Sequence, residues 1–158
     1  MDKKSFYERC EAGNVPLETC NTDAIDFGFF LAARYFFNSF SKYDPCSCVM
    51  KMLTIESLFP GLDIAVEMRR SLACIHEMRM SRRSLLRFSN PRCKRCSAIV
   101  TQDELYLLRL IQHARAGCGS KVAFSALLLC EGNATELVVA PAYGFASLVQ
   151  ILTVPVRD

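Results

Sequence analysis

The sequence predicts a mainly α-helical protein, a small bundle of five to seven helices with a cysteine-containing loop. In several segments the apolar residues recur at spacings of three and four, which is typical of the buried face of a helix. Turns rich in glycine, proline and asparagine separate these segments, and capping residues precede several of them. With 158 residues, 51% of them hydrophobic, the chain is long enough to bury a core of its own. Because no repeat or linker divides it, we expect residues 1–158 to form a single helical domain.

The first predicted helices lead to an apolar segment that we expect at the centre of the core. Residues 3–12 are a short polar helix candidate, and the turn residues Gly13 to Pro16 end it. The run Asn21–Asp23 then offers an N-cap for the next helix. Residues 27–37 of that helix are apolar on nearly every side, which indicates a buried central helix.

The middle of the chain predicts a short helix and a longer, arginine-rich one. Turns at residues 43–48 and 59–61 bound the short helix at 51–58. Asp63 is predicted to cap the longer helix, and we expect a break between residues 79 and 84, where arginine would otherwise fall on the apolar face. The apolar stripe of this helix consists of Ile64, Met68, Leu72 and Ile75.

The clearest helix start in the sequence is the capping box formed by Thr101 and Glu104. The threonine hydroxyl can accept a hydrogen bond from the Glu104 amide while the glutamate reaches back to the threonine amide. The helix is predicted to run from Gln102 to about Ala116, where Gly117 ends it.

The remainder of the chain holds a second capped helix and an ambiguous apolar run. Ser120 is predicted to cap a helix that ends at Gly132. Residues 137–156 then carry no charge. A buried terminal helix accounts for this composition, with a short strand at Leu137–Val139 as the alternative local structure. A C-terminal membrane anchor is a further alternative, because a run of twenty uncharged residues matches the thickness of a bilayer.

Nine cysteines are present, an odd number, and one pair has a spacing that suits a metal ion. The C-x2-C turn of Cys93 and Cys96 can point both thiolates at one zinc ion. A tetrahedral site needs two more ligands, and the nearby C-x-C pair is the only other close pair. The predicted zinc ligands are Cys93, Cys96, Cys46 and Cys48.

The same thiol pair also supports a redox hypothesis. Lys94 and Arg95 lie between the two cysteines, and neighbouring positive charge favours a reactive thiolate. The two histidines do not extend either site, since His76 and His113 fall at predicted surface positions. Cys93 and Cys96 therefore define either a structural zinc site or a thiol sensor.

The positive charge of the protein is concentrated in one segment. Residues 69–95 contain nine basic residues and a single acid, a net charge of +8 in a chain whose total is +3. Such a block attracts nucleic acid or an acidic protein surface, although a solvated helix flank has the same composition. The residues predicted to make these contacts are Arg79, Arg82, Arg83, Arg87, Arg92, Lys94 and Arg95.

Taken together, these patterns predict a non-enzymatic regulatory or adaptor protein. Glycine-rich phosphate loops, zinc-protease and hydrolase motifs and paired catalytic carboxylates are missing from the sequence, and no catalytic residue is predicted. The residues after Met1 contain no apolar signal segment, so we expect a reducing cytoplasmic location, where thiols are free, metal-bound or catalytic. A thiol redox or sensor protein and a membrane-associated accessory protein are the alternatives.

Overall fold

The structure, a computed structural model, describes residues 13–41, 50, 53–54, 56–57 and 64–153. This part of the chain is mainly helical, as predicted. It contains five α-helices, one 3₁₀ turn at Leu17–Thr19 and a sheet of two short strands. The helices are α1 (Ala24–Ser41), α2 (Ile64–Ser81), α3 (Gln102–Arg115), α4 (Gly119–Leu129) and α5 (Glu136–Thr153), and the strands are β1 (Val15–Pro16) and β2 (Ile99–Val100). The predicted helix at residues 3–12 and the predicted cap Asp63 lie outside the described residues.

Helix α1 is the central apolar helix that the sequence predicts. Asp23 caps it, because the Asp26 amide donates to Asp23 Oδ1 at 2.8 Å. Phe29 is almost fully buried and packs against Phe145 of α5, with the two rings tilted by 52° and their centroids 4.7 Å apart. This contact belongs to one large core that α1 shares with α2, α3, α4 and α5.

The boundaries of α3 and α4 follow the predicted chemistry, with one exception. The Thr101 and Glu104 capping box is present at the start of α3. Gly117 ends the helix with a positive φ of 67° in a Schellman turn, in which the Cys118 amide donates to the His113 carbonyl. The predicted cap at Ser120 is wrong, because this tight turn lets α4 begin already at Gly119, after Cys118.

Helix α5 is continuous through Pro141, so the predicted alternative of a strand at Leu137–Val139 is wrong. A proline there removes the N–H that would bond the Leu137 carbonyl, and its ring also crowds that carbonyl; Leu137 itself is half-exposed. Val138 and Phe145, on the side of the helix that faces the core, are fully buried. The helix therefore gains more from burying this face than it loses at one hydrogen bond.

None of the helices in the described part of the chain combines the length and the apolar character that a membrane span requires.

The strands lie nearer the N-terminus than predicted and join distant parts of the chain. Val15 pairs with Val100 in an antiparallel register, and the Leu17 amide donates to the Ala98 carbonyl at 2.9 Å. Val100 is fully buried in a second, smaller apolar cluster that includes Phe30 and Leu108. The sheet thus fixes the end of the cysteine loop against α1 and α3.

A buried ion pair fixes the same loop from its other side. Arg34 of α1 donates through Nε to Glu104 Oε1 at 2.8 Å and through Nη2 to Glu104 Oε2 at 3.1 Å. Its Nη1 and Nη2 also donate to the carbonyls of Ser97 and Ile99, at 2.7 and 2.6 Å. The guanidinium lies 4.2 Å from the centroid of the Phe30 ring. Every nitrogen of Arg34 is therefore hydrogen-bonded, as a buried cation requires.

Glu104 completes this network by holding two backbone amides. Its carboxylate accepts from the Thr101 amide at 2.8 Å and from the Ser89 amide at 3.0 Å. One side chain at the start of α3 thereby positions α1, the cysteine loop and the segment that precedes the loop.

Replacing Arg34 with methionine should destabilise the protein by about 3–5 kcal/mol, because Glu104 would remain as a buried, uncompensated charge. Urea denaturation followed by far-UV circular dichroism measures this loss. The matched control is Arg109→Met, on the exposed surface of α3, which should change stability by about 0.5 kcal/mol or less. Equal denaturation midpoints for the two variants would contradict the proposed role of Arg34.

Candidate functional site

The predicted basic contact residues divide into one internal residue and six surface residues. Arg82 is the internal one, with a side chain only 5% exposed. The six residues on the surface are Arg79, Arg83, Arg87, Arg92, Lys94 and Arg95.

Arg82 connects three parts of the fold through hydrogen bonds and ion pairs. Its Nη1 donates to the Leu129 carbonyl at the end of α4, at 2.5 Å. Its Nη2 lies 3.3 Å from Asp103 Oδ2 and 3.2 Å from Glu131 Oε1. With two carboxylates and a carbonyl as partners, this guanidinium positions the turn after α2, and we do not include it among the residues that face a partner.

Glu131 holds the same turn from the opposite side. Its Oε2 accepts from the amides of Arg83 and Ser84 at 3.0 and 3.1 Å, and its Oε1 accepts a short hydrogen bond from the Ser84 hydroxyl. These hydrogen bonds, first of all the one from the Ser84 side chain, lower the pKa of Glu131 from its ordinary 4.5 to about 2. Glu131 has a φ of 54°, in the left-handed region that a non-glycine residue seldom adopts. The carboxylate is therefore placed by a strained backbone at the end of α4.

Residues 85–90 have no regular secondary structure and run past the start of α3. The Arg87 amide donates to Asp103 Oδ2 at 2.8 Å, and the Ser89 amide donates to Glu104 Oε1 at 3.0 Å. The Thr101 hydroxyl donates to the Arg87 carbonyl at 2.7 Å. Arg87 and Ser89 are two residues apart, and both bond to the start of α3. This alternation is typical of an extended chain that is hydrogen-bonded to a neighbour along one edge.

A cleft of about 390 Å³ opens between the end of α2 and this extended segment. Its wall combines arginine with apolar residues, and two of the latter stand out because Leu85 is 93% and Met80 64% exposed. The rings of Phe37 and Phe88, 5.6 Å apart, lie at its inner side. The lining residues are Phe37, Arg79, Met80, Arg82, Arg83, Ser84, Leu85, Leu86 and Phe88.

The C-x2-C turn lies at the far end of the basic segment. Cys93 and Cys96 are half-buried, and the Cys96 amide points at Cys93 Sγ with a distance of 3.4 Å. The Ser97 amide closes the turn on the Cys93 carbonyl at 2.8 Å. The turn therefore places a backbone amide donor beside one of the two sulfur atoms.

The other predicted zinc ligands, Cys46 and Cys48, lie outside the described residues. In the described part of the chain, no three side chains of the metal-binding types come together in a way that would hold an ion. A zinc site at Cys93 and Cys96 would therefore need ligands from beyond these residues.

The two histidines differ in their surroundings. His76 is exposed, as the sequence predicts. His113 is half-buried and faces α4, where its Nδ1 lies 3.0 Å from Ser125 Oγ, so the predicted surface position is wrong. Burial lowers the pKa of His113, because the apolar contact between α3 and α4 disfavours the charged ring. Within the part of the chain that the structure describes, neither histidine lines the cleft.

No protein-family model, curated protein or solved structure matches this chain. The class of protein is therefore defined by its own fold and site, a mainly helical protein with a basic, partly apolar cleft.

Sequence reasoning missed the apolar half of this cleft and the role of Glu131. The available signal was the pair Leu85-Leu86, which stands between arginines at a predicted helix break where apolar residues have no helix face to join. The sequence near Glu131 showed only a helix end at Gly132. Its contact with Ser84 spans 47 residues and has no local sequence signal.

The low pKa of Glu131 predicts a pH-dependent contribution to stability. Because the pKa of Glu131 is lower in the folded protein, its carboxylate contributes fully to the free energy of unfolding above about pH 4.5. This contribution is lost as the pH falls toward about 2. The variant Glu131→Gln should thus be less stable than the native protein at pH 7, and this difference should shrink as the pH falls through that window. Urea midpoints at a series of pH values measure the difference, with Glu18→Gln as an exposed control. A difference that stays constant down to pH 2 would contradict this role.

Proposed function

We propose that the protein is a non-enzymatic adaptor or regulatory protein that binds an acidic segment of a partner protein at the arginine-lined cleft. The single observation that carries this proposal is that exposed arginine and exposed apolar side chains share one concave surface. A partner that combines carboxylates with apolar side chains complements both features.

The charge of the surface supports a polyanionic partner. Arg83 and Arg87 are exposed on either side of Leu85, and the side chain of Arg87 is 74% exposed. Asp103 and Glu131, two acids beside this surface, accept from Arg82 and from backbone amides, and Asp103 Oδ2 also lies 3.8 Å from Nε of the exposed Arg87. The outward-facing charge is thus positive, and it would accelerate the approach of an acidic partner.

The apolar side chains favour a protein over a nucleic acid. Proteins that hold single strands combine positive charge with aromatic side chains on which bases stack. At this cleft the most exposed apolar side chains are the aliphatic Leu85 and Met80, whereas Phe37 is buried and Phe88 half-buried. Leucine and methionine can pack against an apolar side chain of a bound peptide, which favours a protein partner. Nucleic acid is kept as the alternative partner in the binding test.

Reversing the charge of the cleft should weaken binding of an acidic peptide. For the double variant Arg83→Glu/Arg87→Glu we expect at least a tenfold loss of affinity for a fluorescent eight-residue peptide that alternates aspartate and leucine, because attraction becomes repulsion. Fluorescence anisotropy at two salt concentrations measures the affinity and its screening. Arg109→Glu, which makes one such charge reversal elsewhere on the surface, should bind within about twofold of the native protein.

An oligouridylate serves as the nucleic-acid probe in the same assay. Tighter binding of this strand than of the peptide would overturn the choice of an acidic protein partner. Absence of binding by either probe at low salt would overturn the proposed function.

A second proposal concerns zinc at the C-x2-C turn. We infer that Cys93 and Cys96 contribute two thiolates to a stabilising zinc site, supported by the amide of Cys96 that points at Cys93 Sγ. Cys46 and Cys48, from the sequence, remain the proposed second pair. The alternative is a redox-sensing thiol pair, which would use the same thiolates without a metal.

Elemental analysis of protein purified under reducing conditions distinguishes these roles. We expect one zinc ion per chain in the native protein and in Cys118→Ser, and loss of the metal in Cys93→Ser, because a tetrahedral site does not survive removal of a thiolate. Cys118 is a suitable control since it is also a partly exposed cysteine. Metal-free native protein that forms a reversible Cys93–Cys96 disulfide would instead support the redox alternative.

A further inference from the structure

We propose, on the basis of the function above, that the acidic partner binds in extended form and adds as a β-strand to the free edge of residues 85–89. The proposal specifies the binding mode of the cleft, which the charge and the apolar lining alone do not determine. It follows from the direction of the backbone N–H groups in this segment.

In an extended chain, successive N–H groups point to opposite edges, so residues two apart share an edge. The amides of Arg87 and Ser89 point toward α3, where Asp103 and Glu104 accept their hydrogen bonds. The amides of Leu86 and Phe88 therefore point away from α3. Neither of these two residues makes a backbone hydrogen bond within the part of the chain that the structure describes.

The side chains of the segment agree with this geometry. Leu86 and Phe88 pack against the main core, whereas Leu85 and Arg87 are exposed on the other face. The segment thus has the alternation of a strand that covers a core, with one edge held by α3 and the other open beside the cleft. Unbonded backbone donors at an edge are a template for another chain.

The charge of this edge determines which chain can pair with it. Arg83 precedes this segment and Arg87 lies within it, and both are exposed; exposed basic residues on an edge strand oppose pairing with an identical copy. An acidic strand meets no such repulsion. When a strand is added to an edge, its main chain forms hydrogen bonds with that edge and its alternate side chains enter pockets. We therefore expect the carboxylates of the partner beside the arginines and its apolar side chains in the cleft.

Backbone methylation of the peptide tests this mode without changing its charge. Two versions of the aspartate–leucine peptide carry N-methyl groups, one on every aspartate amide and the other on every leucine amide. Because only one set of amides faces the protein in a strand pair, one version should bind at least tenfold more weakly and the other should bind almost as the parent does. Equal affinities of the two methylated versions would contradict strand addition.

Amide hydrogen exchange followed by NMR locates the new hydrogen bonds on the protein. On addition of the parent peptide, the amides of Leu86 and Phe88 should exchange at least tenfold more slowly, whereas those of Arg87 and Ser89, which are already bonded, should change little. Protection confined to other residues would overturn the proposed edge.

A pair of protein variants separates the backbone donor from the side chain. Leu86→Pro removes the amide donor and the leucine side chain, whereas Leu86→Ala removes most of the side chain alone. We expect the proline variant to bind the peptide at least fivefold more weakly than the alanine variant, while the two keep similar denaturation midpoints.

The outcomes separate this proposal from the one on which it rests. If the parent peptide binds and depends on Arg83 and Arg87, but the methylated peptides bind equally, the acidic partner stands and strand addition is wrong. If the peptide does not bind at all, the proposed function fails, and the binding mode fails with it.

Discussion

The rest of the structure depends on the buried ion pair between Arg34 and Glu104. Charges are costly to bury, and a pair of this kind is retained only where hydrogen bonds satisfy both partners. Here the guanidinium also holds the carbonyls of Ser97 and Ile99, and the carboxylate also holds the amides of Thr101 and Ser89. One interaction therefore joins the central helix, the start of α3 and both ends of the cysteine loop. The position of the candidate site relative to the core follows from it.

The acids near the cleft explain how the main chain of a basic segment can be held in place while its arginine side chains remain exposed to a partner. Asp103, Glu104 and Glu131 accept from the backbone of residues 83–89, so the main chain of the segment is fixed by negative groups beneath it. Arg82 is drawn into this layer and held there. The neighbouring arginines project from a segment that is already anchored, which reduces the entropy that a binding partner would have to remove.

Much of the fold could be predicted from the sequence, because its helices depend on local signals. The capping box at Thr101, the glycine stop at Gly117 and the Asp23 cap each act over a few residues, and each was found where expected. The candidate site was predicted only in part. Its positive charge is visible in the sequence, whereas its apolar wall requires Phe37 of α1 to lie next to Phe88, which no local pattern encodes. The start of α4 was misplaced because a turn geometry, not a capping side chain, sets it.

By itself, the sequence determined that the chain is mainly helical, where α3 begins and ends, and that positive charge is gathered between residues 69 and 95. Only the tertiary structure decided which of those charges face outward. Arg82 and Arg83 are adjacent in the sequence, yet Arg82 is buried because α4 brings a carbonyl and a carboxylate within its reach, while Arg83 remains at the surface. A side chain's exposure depends on partners that lie close in space and far apart along the chain, and such partners follow from the packing of the helices.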